Sequence, residues 1–393
     1  MRSRVVVVIA VAAVTIDTAL LGLIAPLLPE IERRTGASEG ALGASLAAYA
    51  LPIVLLSLPL GRLADSVGRR GLLIAGLALA AVGSGVIAAS ESIWPLMLGR
   101  VIQGVGSAAS WIAALALVSD LARPGRRGEA IGIALGATSA GSIAGPALGG
   151  VTADLLSFAA PFLIVGGISV AIAVAAIFLL PPERRTPSRT PAWATIRRAV
   201  GSGTGAVAVG MTIAGACALG LIEVVAPLDL DSRLGLSSAA IGLLFAWSIA
   251  VDAAVAPFGG RWGDRHGRRG PAVFGLAATA GSALLLAGLG GTVGAAVALG
   301  VFGAGFSLTF SAAVPWLDEA FGEVERGLGY GVLNLLYAAG YTIGPLIGGA
   351  LLEVAGANAA YTLTAVALAG CALVVLRRLW APTAGPAERR PGL

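Results

Sequence analysis

Gly61-Arg62-Leu63-Ala64-Asp65-Ser66-Val67-Gly68-Arg69-Arg70-Gly71 returns 199 residues later as Gly260-Arg261-Trp262-Gly263-Asp264-Arg265-His266-Gly267-Arg268-Arg269-Gly270. The same shift carries Gly104 and Gly106 onto Gly303 and Gly305, and Arg127-Gly128 onto Arg326-Gly327. It also carries Gly141, Gly145, Pro146, Gly149 and Gly150 onto Gly340, Gly344, Pro345, Gly348 and Gly349. One gap-free offset through separate motifs marks the chain as two copies of one unit.

Composition says where those copies sit. The 393 residues are 57% hydrophobic and only 12% charged, where a soluble domain carries about 25% charged residues. Most of the surface therefore faces something other than water. A bilayer crossing takes about 20 apolar residues, and the apolar runs predict helices over roughly 5–28, 40–61, 71–90, 94–119, 128–153, 159–181, 205–228, 238–260, 271–290, 293–317, 327–352 and 359–379. The first run, after Met1-Arg2-Ser3-Arg4, continues to Leu28 and reads as a span rather than a cleaved leader. The fold class is thus all-α integral membrane, with twelve transmembrane helices in two six-helix bundles. Six crossings per copy leave both copies with one orientation, so the repeat is parallel, about an axis along the membrane normal.

The formal charge is +5, and every basic residue except His266 is arginine. The arginines cluster between apolar runs, which argues for a lipid bilayer and against nucleic acid as the partner. With both termini in the cytoplasm, only Arg33, Arg34 and Arg233 fall outside and Arg100 falls within the membrane, as the positive-inside rule requires. The expected location is a cell inner membrane, crossed many times. Residues 1–181 form the first bundle and 205–381 the second. The Pro- and Arg-rich stretch 182–204 is the cytoplasmic linker, and 382–393 a polar tail. Cys217 and Cys371 lie in apolar runs, and nothing suggests a disulfide, a metal site or a cofactor.

The Gly61–Gly71 segment and its copy resemble the hallmark loop of the major facilitator superfamily: a Gly, an Asp four residues on, a Gly three further, then two basic residues. The resemblance covers the whole chain and implies alternating access by rocking of the two halves. It makes Gly61, Asp65, Gly68, Arg69, Arg70 and Asp120, with Asp264 and Arg268 in the second copy, gating residues that latch the cytoplasmic helix ends. On residue type alone, the glycines suit a tight turn and Arg69 and Arg70 suit the cytoplasmic headgroups.

Arg100 stands about 9 Å along its helix from Trp94. An arginine inside a span is costly unless it meets water, an acid or the headgroups. The shifted position holds Leu299, so the charge belongs to one copy. Arg100-x-x-Gln103-Gly104 resembles a family signature associated with proton coupling. Gly145-Pro146-x-x-Gly149-Gly150, led by Gly141, resembles the antiporter signature of its exporters; read physically, it is a close-packing seam with a proline bend. Pro26-Leu27-Leu28-Pro29 resembles the end of helix 1 in drug exporters. The motif content is nearest to the twelve-helix drug:proton antiporters.

Asp17, Glu223 and Asp252 are the other charges within spans. Three acids against Arg100 leave a net −2 if all are ionised, too costly in a membrane interior without protons or a cationic substrate to balance it. Asp17, Arg100, Glu223 and Asp252 are accordingly the proton-coupling candidates, although Glu223 also lies near enough to the outer surface to reach it. Family architecture implies that Asp17 can pair with Arg100. Tyr49, Gln103, Trp247, Phe306, Phe310, Asn334 and Tyr337 are the candidate cavity residues, suited together to a flat amphipathic compound. The expected function is a proton-coupled exporter of small amphipathic or cationic compounds, working as a monomer. A sugar or metabolite permease of the same fold is the alternative. A receptor would need none of these buried charges. No Ser/His/Asp, Cys or His-Glu-x-x-His set points to an enzyme.

Overall fold

The computed structural model describes residues 2–121, 127–180, 197, 201–321 and 326–379, so most of the linker and the whole tail lie outside it. All secondary structure among the described residues is helical. α1 (Arg2–Gly22) runs through a 3-10 turn (Ala25–Leu27) into a short helix (Leu28–Thr35). Then follow α2 (Glu39–Val67), α3 (Arg69–Ala88), α4 (Ile93–Leu121), α5 (Arg127–Leu155) and α6 (Ala160–Leu179). The second half holds α7 (Gly203–Leu234), α8 (Ser238–His266), α9 (Arg269–Gly288) and α10 (Gly291–Phe321). The last helix, Arg326–Leu379, breaks at Gly356 (φ 80°, ψ 171°) into two arms, 326–355 (α11) and 357–379 (α12).

Ten stretches among the described residues are long and apolar enough to cross a membrane, and one of them, Gly331–Arg378, has 48 residues and holds both final arms. Large side chains such as Phe178, Val293 and Val354 face outward. Apolar surface of that kind belongs against lipid.

The repeat governs detail as well as topology. The turns α2–α3 and α8–α9 lie at one end of the bundle, here the near end. Each turns on one glycine, Gly68 (φ 99°) alone in the first and Gly267 (φ 86°) followed by Arg268 in the second, in backbone that a side chain rarely adopts. The sequence placed a longer loop here; instead α2 and α8 run on to Val67 and His266. At the opposite, far end, the Leu28–Thr35 helix and α7 terminate on Gly36 and Gly235, whose amides reach Glu32 O and Asp231 O, each at 2.8 Å.

Each half has its own apolar core, one built mainly on α1–α6 and the other on α7–α12. The halves meet along two crossings, α2 on α11 and α5 on α8. A Cβ on Gly43 would lie 2.2 Å from Pro345 O, and one on its repeat mate Gly242 would lie 2.3 Å from Pro146 O. A Cβ on Gly349 would lie 2.5 Å from Glu39 O, and one on Gly150 2.1 Å from Ser238 O. These backbones touch because no side chain intervenes, and all four contacts lie toward the far end.

Candidate functional site

Between the halves lies a cavity of about 480 Å³. Asp17, Tyr49, Ser107 and Trp111 line it from the first half, and Asp252, Phe306, Phe310, Asn334, Tyr337 and Tyr341 from the second. Its wall continues toward the near end along Ile53, Leu115, Ser311 and Leu333. A side chamber of about 170 Å³ adjoins it, holding Glu223, Phe245, Ser248 and Phe302. Asp252, Thr18, Thr138 and Tyr337 line both spaces.

Asp17 is buried. Its carboxylate accepts a hydrogen bond from Ser107 Oγ at 3.0 Å and faces Tyr49 OH at 3.4 Å. Arg100 is fully buried (0% exposed), so it does not snorkel to the headgroups. Its Nη1 donates to Leu20 O at 3.3 Å and to Gln103 Oε1 at 3.0 Å, and its guanidinium lies 4.4 Å from the centre of the Tyr49 ring. Nε and Nη2 have no hydrogen-bond partner among the described residues. The expected Asp17–Arg100 pair is not formed. Arg100 sits beside Leu20, about one helical turn farther along α1 than Asp17. No carboxylate among the described residues lies within ion-pair distance of Arg100. Glu223 is buried and accepts from Tyr341 OH, so it does not reach out to the interface.

Two expected cavity residues are elsewhere. Gln103 lines neither space; its Nε2 donates to Ser84 Oγ at 2.9 Å while its Oε1 holds Arg100. Trp247 is 52% exposed on the outer surface, with Nε1 on Ala296 O at 3.0 Å. Residues that sequence reasoning missed are Tyr341, Trp111, Ser107 and Phe302. Two of these carried a signal: Tyr341 is four residues from Tyr337, and Phe302 four from Phe306, so each shares a helix face with a residue already singled out. The rings form a continuous ladder. Centroid separations are 6.1 Å for Phe302–Phe306, 4.5 Å for Phe306–Phe310, 6.0 Å for Phe310–Tyr337 and 6.2 Å for Tyr337–Tyr341.

The near-end motif is only partly described. Gly61 lies within α2, and the side chains of Asp65 and Asp120 lie outside what is described. Arg69 Nη1 donates to Ala116 O on α4 at 3.2 Å, and Arg70 donates to Ile177 O on α6. Both arginines thus bind helix carbonyls rather than only facing headgroups. In the second copy Arg268 pairs with Glu319 on α10, while Asp264 is exposed. Glu319 is the repeat mate of Asp120 and went unnoticed.

The glycines of the antiporter-like segment seat α5 on α1. A Cβ at Gly141, Gly145 or Gly149 would lie 2.1, 2.4 or 2.3 Å from the carbonyl oxygens of Thr15, Ala19 and Leu23. Gly150 and the carbonyl of Pro146 instead face α8.

The model of the Major Facilitator Superfamily matches residues 7–222 and 208–392. The chain belongs to that superfamily. With its membrane-length apolar helices it is a multi-pass membrane protein of that superfamily. Among its relatives in the superfamily is the tetracycline resistance protein, class G, of Vibrio anguillarum, 39% identical over 176 residues, which are 44% of each chain. The class D tetracycline resistance protein of Salmonella ordonez is 34% identical over 46% of each chain. Multidrug resistance protein 1 of Bacillus subtilis is 25% identical across 90% of this chain and 92% of its own. The match to the tetracycline resistance relatives thus spans about half of their length.

Proposed function

We propose that this transporter exports small amphipathic cations in exchange for protons, by rocking of a first bundle (1–181) against a second (205–381). One observation carries the reading: Asp17 and Asp252, from opposite halves, line a single cavity whose wall also carries six aromatic rings, Tyr49, Trp111, Phe306, Phe310, Tyr337 and Tyr341. A cation entering there meets carboxylates and ring faces together. The names of the tetracycline and multidrug resistance relatives agree with a drug-like substrate. The near end is assigned to the cytoplasm from the arginine distribution, so the cavity, reaching toward that end while the far-end crossings are packed shut, suits loading from inside.

In the exchange, Asp252 contacts the outgoing cation and Asp17 carries the proton. Both spaces border Asp252, and it holds no ion pair with a described residue. Asp17 is already held by Ser107 and Tyr49, one donor on each carboxylate oxygen, a setting that fixes the carboxyl group for proton exchange at the cavity wall. The chain works as a monomer, since each half supplies the other's wall.

The test is proteoliposome transport of tetraphenylphosphonium under an imposed pH gradient. Asp252→Asn is expected to weaken cation binding about tenfold, the loss of one charge-assisted contact. Asp17→Asn is expected to abolish pH-driven accumulation while leaving cation binding within about threefold. Accumulation driven by membrane potential alone, with no response to a pH gradient, would overturn the exchange. Uncharged sugars carried equally well by parent and Asp252→Asn would favour the permease reading.

A further inference from the structure

Asp154 and Glu353 are repeat mates at the far ends of α5 and α11. Asp154 Oδ2 accepts the backbone N–H of Ala239, in the first turn of α8, at 2.9 Å. Glu353 Oε2 accepts the backbone N–H of Gly40, in the first turn of α2, also at 2.9 Å. Gly40 and Ala239 are themselves related by the same shift. Each half therefore places a carboxylate on a helix N-terminus of the other, and the molecule makes the arrangement twice.

First-turn amides have no acceptor within their own helix and sit at the positive end of its dipole. The local serines take a different amide: Ser38 Oγ accepts from Ala41 N at 3.4 Å and Ser237 Oγ from Ala240 N at 3.3 Å. The amides of Gly40 and Ala239 are left for the opposite half. We propose that Asp154 and Glu353 are a reciprocal pair of far-end latches, positioning residues that hold the far end closed and release when it opens.

Their exposure suits that task. Both residues lie at the surface, so on release each carboxylate is rehydrated at once and the latch opens cheaply. A buried pair would lock the state instead. The bidentate Arg33–Asp231 pair also joins the halves at this end, at 2.9 and 3.1 Å, but Ser232 stands where the shift would place a second arginine. That contact is one-sided, whereas the carboxylate caps are symmetric.

A carboxylate at a helix N-terminus shifts an equilibrium by roughly two- to fivefold, and two distant caps multiply to roughly four- to twenty-five-fold. The experiment is double electron–electron resonance on the full chain in nanodiscs, with Cys217 and Cys371 replaced by serine. Labels at Glu91→Cys and Gly290→Cys read the far end, and labels at Leu63→Cys and Arg265→Cys the near end. Asp154→Ala with Glu353→Ala is expected to raise the far-open population by that combined factor and to shorten the near-end distance in step. Asp154→Asn with Glu353→Gln, which keeps the shape and loses the charge, is expected to give a smaller shift in the same direction.

Parent-like distances in both double variants would overturn the latch, and so would a far end that frays with no change at the near end. The latch rests on the alternating access proposed above, and the two fail differently. A parent whose distances ignore added tetraphenylphosphonium sinks the exporter reading. A responsive parent with double variants whose distances match it sinks the latch alone.

Discussion

Arg100→Met is expected to reduce pH-driven export at least a hundredfold while leaving a folded, monodisperse protein. Methionine fills most of the volume over the Tyr49 ring, so packing changes little. The charge change is large. Arg100 is fully buried, and Nε and Nη2 have no hydrogen-bond partner among the described residues. Without it no buried cation among the described residues offsets the buried carboxylates of Asp17 and Glu223, and an uncompensated buried charge costs about 3–5 kcal/mol. That is a factor of roughly a hundred or more in any step that needs those acids ionised. Arg100→Lys is expected to rescue only in part: an ammonium can reach Leu20 O and Gln103 Oε1, both met by Nη1, but it lacks the planar group that lies over the Tyr49 ring. Efflux from proteoliposomes, with size-exclusion profiles as the folding check, decides the matter. Parental export by Arg100→Met would reduce the guanidinium to a packing strut.

The second large effect is expected from Gly43→Val combined with Gly242→Val. At these positions a Cβ alone would lie 2.2 and 2.3 Å from carbonyl oxygens of the opposite half. Overpacking of this kind costs about 1–3 kcal/mol per site, and here it falls only on the state in which the far end is closed. The double variant is expected to fold, to hold the far end apart and to lose export. Gly104→Val is the contrast. Its Cβ would lie 2.1 Å from Tyr49 O within one half, so it strains every state and should lower thermal stability instead. Far-end distances and melting temperatures separate the two outcomes. A Gly43→Val/Gly242→Val protein with parental distances and export would mean that the seam yields without cost.

The architecture was legible because its signals are long and repeated: a constant shift, apolar runs, and arginines at their ends. The helix ends were less so. The spans were placed to stop near Gly61 and Gly260, yet α2 and α8 continue to Gly68 and Gly267. A polar helical turn outside the hydrocarbon is as acceptable as a loop, and only the second glycine of each motif takes a left-handed backbone.

Within the site, sequence identified which charges are buried but not what they meet. Lipid and protein interior are both apolar, so a spanning helix shows little of the sidedness that marks a soluble one. That is why Trp247 was placed at the cavity and lies on the outer surface. The Asp17–Arg100 pairing, implied by family architecture, missed because facing helices do not fix register: one turn of offset is enough to give Asp17 to Ser107 and Arg100 to Leu20 and Gln103. Glu319, by contrast, could have been found by applying the shift to Asp120.

The ring ladder from Phe302 to Tyr341 has a consequence for selectivity. A run of rings, three steps stacked and the Phe310–Tyr337 step edge-on, offers attraction at every height but few fixed points at which a guest must halt. Molecules of different length can ride the same strip, each settling where its positive group comes level with a carboxylate. Breadth of cargo then follows from a wall without notches, and discrimination is left to charge.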